Sequence, residues 1–283
     1  MFTIVFHRRI SFYLLLIITI LSIIFFPSLS FAQSDDGFPG RKLYPKVKTI
    51  SKEMLYKKIT NNEVMVVDVR SDFEYRTLKI LNAVNISAAS KSFPEKLKQL
   101  REKTSKDIIF YCNGRSCYKS YKAAMKAIKY NVNNCYSYDA GVFEWALKYP
   151  ENAVLLGKSP VNKDSIISKE DFKAHMLSPK EFEQMSFTEN SMIYDVRDRE
   201  QRRGSSGLFM FRDKSVQLDK TKKLERIVAN AVSDDMTLYF YDQKGKQVRW
   251  LQYFLESQGL KNYYFMAGGA AAYFDMLRNE QGL

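Results

Sequence analysis

From Thr49 onward the chain alternates apolar runs with amphipathic stretches. VMVVDVR (Val64 to Arg70) and DIIFYC (Asp107 to Cys112) are apolar runs that stop at charged or thiol residues, and each reads as a buried strand. SKEMLYKKI, with Ser51 as its cap, SFPEKLKQLREK, opened by Pro94, and SYKAAMKAIKY carry helical spacing. SDFEYRTL reads as a short helix, AVNIS as a second extended piece, and NCYSYDAG as a strand running into a turn; VFEWALKYP closes the unit. Strands alternating with helices, the strands nearly all apolar, predict parallel sheets covered on both faces.

The same order then returns. SPKEFEQM opens on a Ser178 cap, SMIYDVRDREQRR answers VMVVDVRSDFEYR, and TLYFYD answers IIFYC. QVRWLQYFLESQGL answers KSYKAAMKAIKYNV, and NYYFMAGGAAAYF answers NCYSYDAGVFEWA. Asp195 and Arg197 match Asp68 and Arg70, Gly268 and Gly269 match Ala140 and Gly141, and Asp242 falls where Cys112 falls, at offsets of about 127 to 130 residues. The expectation is an α/β chain of two domains, residues 45–152 and 165–282, joined through GKSPVNKDSI. In such sheets the working groups sit in loops at the carboxyl ends of the strands, which is the place of Cys112.

The N-terminus adds a compartment. MFTIVFHRR is positive, Ile10 to Phe26 is apolar, Pro27 breaks the run, and SLSFAQ offers Ser30 and Ala32 at small-residue cleavage positions. Residues 1–32 therefore read as a secretory signal cleaved after Ala32, or as an uncleaved anchor. Either places the rest of the chain outside the cytoplasm, periplasmic or extracellular, with membrane contact only if the helix is retained. The formal charge of +13 suits anionic partners. No arginine-rich run interleaves with aromatics, so nucleic acid is not expected. Three cysteines are too few for a disulfide scaffold, and the odd number leaves at least one unpaired or in use. Without CxxC, HExxH or a cysteine-histidine cluster, no metal site is expected.

The loop after Cys112 runs Asn113, Gly114, Arg115, Ser116, Cys117 and leads into a helical pattern. A thiol reacts as its thiolate. His7 lies in the signal and His175 far along the chain, so ionisation has to come from elsewhere. Backbone N–H groups at a helix N-terminus stabilise negative charge, Gly114 lets the loop curl so that amides converge, and Arg115 adds a positive charge. A nucleophile that can carry an extra sulfur and a buried structural cysteine are both compatible with this pattern.

Three segments resemble the rhodanese (thiosulfate:cyanide sulfurtransferase) superfamily, and they recur in order twice. VVDVRSDFEYRTLKILNAVNIS is similar to its D-x-R-x-x-x-E-Y…A-x-N-I signature, FYCNGRSCYKSYKAA to its active-site strand, loop and helix, and NVNNCYSYDAGVFEWALKYP to its last segment with Trp145. The resemblance implies two tandem rhodanese-like domains, each a mainly parallel sheet flanked by helices. It implies an exported sulfurtransferase in which Cys112 accepts sulfane sulfur from thiosulfate or a similar small anionic donor and passes it to a thiol, cyanide or protein acceptor, with no cofactor. Residues 113–117 would cradle the sulfur, Arg115 would hold the donor or else be a solvent-exposed arginine, Asp68 and Arg70 would pair at the sheet edge in support, and Phe143 and Trp145 would be core.

Two departures accompany it. Leu78-Lys79-Ile80-Leu81-Asn82-Ala83 stands where the family has Gly-His-Ile-Pro-Gly-Ala, losing turn residues without losing the fold. The loop is a C-x4-C variant, and Cys117 has three readings: a resolving thiol for Cys112, an aid to persulfide transfer, or a space filler. Cys135 is expected to be buried and inert. Related phosphatases use a Cys-x5-Arg loop, but here Tyr118 holds the arginine position, against phosphoryl chemistry. Asp242 cannot carry sulfane sulfur, so the second domain is expected to be inactive, its carboxylate satisfying the amides a substrate would occupy. The alternative is a non-catalytic binding or redox-sensing module with a Cys112/Cys117 switch.

Overall fold

The structure, a computed structural model, describes residues 37–202, 207–210 and 212–282. The expected signal or anchor lies outside these residues. Among the described residues no helix is long and apolar enough to cross a membrane.

The apolar runs become strands and the amphipathic stretches become helices. In the first half these are α1 (Lys52–Thr60), β1 (Val64–Asp68), α2 (Asp72–Thr77), β2 (Leu78–Ile80), β3 (Val84–Asn85), α3 (Phe93–Lys103), β4 (Asp107–Tyr111), α4 (Lys119–Lys129), β5 (Cys135–Tyr138), α5 (Gly141–Lys148) and β6 (Ala153–Leu155). The second half has α6 (Lys169–Ala174), β7 (Met176–Leu177), α7 (Pro179–Ser186), β8 (Ser191–Asp195), β9 (Asp213–Ser215), α8 (Thr221–Ser233), β10 (Thr237–Tyr241), α9 (Val248–Ser257), β11 (Tyr263–Met266) and α10 (Gly269–Glu280). Helix starts follow side-chain chemistry. Ser51 accepts from the Met54 N–H, and Ser71/Glu74 and Ser178/Glu181 form reciprocal capping boxes. Pro94 and Pro179 sit in first turns, where a missing N–H costs nothing.

Two parallel sheets result, as the α/β reading expects. The first has the order β3-β1-β4-β5; the second, read from its other edge, runs β9-β8-β10-β11-β7. The repeat explains the match: β9, β8, β10 and β11 take the places of β3, β1, β4 and β5. The fifth strand, β7, pairs with β11, and its counterpart in the first half is a single parallel bridge from Thr49 to Ser137. The first core gathers Val67, Phe93, Leu97, Ile108, Phe110 and Tyr121. Burial of each such side chain contributes about 1.5–3 kcal/mol, so the paired apolar runs of β1 and β4 anchor the half.

The first half reaches beyond residues 45–152. A helical turn, Gly40–Leu43, precedes it; Arg41 pairs with Asp139 at 2.9 Å and Tyr44 stacks on Tyr121 at 5.4 Å. At the other end β6 pairs antiparallel with β2, carrying the half to Leu155. The segment that departs from the family turn is therefore a strand, and Asn82 takes the left-handed turn conformation (φ 61°) that asparagine tolerates.

Candidate functional site

β4 lies between β1 and β5 and delivers Cys112 to the carboxyl edge of the sheet, directly before the loop that opens α4. Cys112 is buried, and its carbonyl accepts from the Val142 N–H at 3.0 Å. This contact needs Gly141. With φ +79° it lets α5 press on the loop, and a Cβ there would collide with the backbone of Asn113 and Gly114. Cys112 and Cys117 are joined as a disulfide with Cα atoms 6.4 Å apart, within the span such a bond requires. The buried hydroxyl of Ser120, in the first turn of α4, lies 3.7 Å from the Cys112 sulfur.

Behind the loop runs a polar chain. Arg70 donates to Asp68 through Nε (2.9 Å) and Nη2 (2.6 Å), to the Leu78 carbonyl, and through Nη1 to Asn113 Oδ1 at 3.2 Å. Asn113 in turn donates to Glu74 Oε1 at 3.0 Å, and Lys119, the first residue of α4, reaches Glu74 Oε2 at 3.3 Å. Both ends of the loop are therefore tied to one carboxylate. Burial opposes ionisation of Glu74, but Lys119 and Arg70, with bonds from Ser71 and Asn113, outweigh it and hold the carboxyl down at about 2. Burial likewise opposes the Arg70 charge, and Asp68 overrides it, raising the guanidinium further.

Asp68 and Arg70 pair at 2.6 Å at the carboxyl end of β1, and both side chains are fully buried. The Trp250 ring of α9 lies over the Arg70 guanidinium at 4.8 Å. Phe143 is not core of the first half. It is half-buried, stacked on Trp250 at 4.9 Å and covered by Arg249 at 4.1 Å. Trp145 is core, fully buried, with its indole N–H on the Asn152 carbonyl.

Arg115 is exposed and held by Glu144 of α5, Nε to Oε1 at 2.5 Å and Nη2 to Oε2 at 3.0 Å. That bond raises the guanidinium and lowers the Glu144 carboxyl. Gly114 and Cys117 are half-buried and Ser116 is exposed. Cys135 opens β5 half-buried rather than sealed, with burial pushing its thiol up to about 11. His175 stacks on Tyr263 in the second half at 4.2 Å.

At the matching place in the second half Asp242 is buried, and its carboxylate accepts the N–H groups of Lys244 (2.8 Å), Gly245, Gln247 and Val248 (3.2 Å). The surroundings repeat part of the first half. Ala270 N–H donates to the Asp242 carbonyl at 2.8 Å, with Gly269 in the place of Gly141. Arg197 is paired with Asp195, and its guanidinium lies 5.4 Å from the Tyr241 ring, where Arg70 lies 5.6 Å from Tyr111. Gln243 stands at the Asn113 position, and its Oε1 is buried without a partner among the described residues.

Two residues were missed. Glu74 was legible as the glutamate of a signature and a capping box, but not as the anchor of Asn113. Trp250 carried no local signal, since it acts on a residue 180 positions away.

Residues 51–148 match the model of the rhodanese-like domain. The tRNA uridine(34) hydroxylase of Cytophaga hutchinsonii is 30% identical over 88 residues, 31% of this chain and 28% of that protein. The chain thus spans less than a third of that relative's length. Among solved structures, the BH2092 protein of Bacillus halodurans is similar at 21% identity, with 44% of this chain and 88% of that chain covered and a TM-score of 0.36. A thiosulfate sulfurtransferase from Pseudomonas aeruginosa is similar at 16% identity over 83% of this chain and 46% of that one, TM-score 0.35. The span matched by the rhodanese-like domain model holds Asp68, Arg70, Glu74 and the whole Cys112–Cys117 loop. Asp242 lies beyond it.

Proposed function

We propose that the chain is a sulfurtransferase whose nucleophile is Cys112. The carrying observation is the position of that thiol: inside the matched span, at the end of β4, at the start of a loop entering α4. In the reduced protein the Ser120 hydroxyl, 3.7 Å from the sulfur, can donate to a Cys112 thiolate. The thiolate attacks the outer sulfur of thiosulfate or a similar donor. The donor's S–S bond breaks and sulfite leaves with the bonding electrons, so a persulfide stands on Cys112. That sulfur then passes to a thiol, cyanide or protein acceptor. Arg70, Asn113 and Glu74 hold the loop that receives it. The second half is a non-catalytic support for the first, and the proposal includes export directed by residues 1–32.

The test is incubation of the reduced protein with thiosulfate and other sulfane donors. A gain of about 32 Da on Cys112 and thiocyanate on adding cyanide are expected. Absence of both with every donor would end the proposal. The Cys112–Cys117 disulfide favours a second reading, a redox-gated binding module. It would displace the first if Cys112→Ser kept full biological function.

A further inference from the structure

The disulfide brings two sulfurs of unequal access together. Cys112 is buried beside the start of α5, while Cys117 is half-buried at the margin of the same core. Cys117 reaches the Sγ of Cys112 itself, which is the inner sulfur of any persulfide formed there. The loop that closes this contact is held at both ends by the Glu74 carboxylate.

From this we infer that Cys117 discharges the persulfide, so that the protein releases its cargo as hydrosulfide and takes a dithiol as its turnover partner. The inference rests on the sulfurtransferase reading above. After sulfite has left, the Cys117 thiolate attacks the Cys112 Sγ. The bond from Sγ to the outer sulfur breaks, its electron pair leaves on the outer sulfur as hydrosulfide, and the Cys112–Cys117 bond forms. The two cysteines are oxidised and the sulfane sulfur is reduced. An external dithiol then attacks the sulfur of the less buried Cys117, expelling the Cys112 thiolate beside the Ser120 hydroxyl. The partner's second thiol displaces Cys117 and closes the partner's own disulfide. In sum, thiosulfate and two thiols give sulfite, hydrogen sulfide and one disulfide.

A single turnover tests this. The protein is reduced, freed of reductant, and given one equivalent of thiosulfate; sulfite, hydrosulfide, intact mass and alkylatable thiols are measured. The wild type is expected to release about one hydrosulfide per sulfite and to lose two alkylatable thiols, with no lasting adduct. Cys117→Ser and Cys117→Ala are expected to release sulfite but keep an adduct of about 32 Da, with hydrosulfide down about tenfold or more. With dithiothreitol in excess, the wild type should make hydrosulfide continuously. If the wild type releases sulfite and holds the adduct, on Cys112 or moved to Cys117, the sulfurtransferase reading survives and this inference falls. If neither sulfite nor an adduct appears, both fall. The wild-type arm decides the matter even if the variants fold poorly.

Discussion

The loops after β4 and β10 are one design with two fillings. In the second half the carboxylate of Asp242 takes four backbone N–H groups, so the negative charge the cradle favours is built in. In the first half the residue at that place is a thiol, and the nearest group to its sulfur is a second thiol. A carboxylate closes the cradle permanently; a disulfide closes it reversibly. The Asp–Arg pair and the glycine under the loop recur in both frames, while the tie of Asn113 and Lys119 to Glu74 belongs to the first. A second asymmetry is that Trp250 of the second half covers Arg70 of the first. The second half thus covers a residue that holds the loop of the first.

The comparison can be broken most decisively at the two cradle residues. Cys112→Ser should lower sulfur uptake by about 10⁴-fold or more, measured as thiocyanate formation, while Asp242→Ser should leave the first half's uptake in place. Equal losses in both would contradict the division of labour. Trp250→Ala should cost about 3–5 kcal/mol in denaturant unfolding and should also slow sulfur uptake, because Arg70 loses its cover. Loss of stability alone would make Trp250 mere packing.

Asp242→Ala removes an ionised acceptor from four amides and should destabilise the protein by about 3 kcal/mol. The variant should then regain melting temperature in sulfate more than the wild type does, since an external anion can enter the emptied cradle. Glu74 gives a pH test. Its folded pKa of about 2 lies below an ordinary glutamate's 4.5, so its stabilisation is complete above pH 4.5 and is lost as pH falls through 2. The gap corresponds to about 3 kcal/mol at most. Glu74→Gln should flatten the stability profile of the protein between those values. The smallest effect is reserved for Arg115→Ala. An exposed ion pair is worth about 1 kcal/mol or less, so donor KM should change by about fivefold at most. A change of tenfold or more would return Arg115 to the donor site.

Much of this was visible along the chain because it depends on near neighbours. Strand runs, the Ser51, Ser71 and Ser178 caps, the repeat and the replacement of Cys112 by Asp242 all follow from residue type and spacing over a few positions. The turn at Asn82 was legible as a departure, but its strand β2 was not, since the partner β6 lies about 75 residues on.

Local physics therefore established an α/β chain, with a thiol-bearing loop placed at the end of β4. Distance in sequence hid the rest. Whether Arg115 faces a donor or Glu144, whether Arg70 meets water or Trp250, and whether Asn113 is free or held by Glu74 are contests among groups brought together by packing. Each is settled by which partner the fold places within hydrogen-bond or van der Waals reach, and no periodicity encodes that.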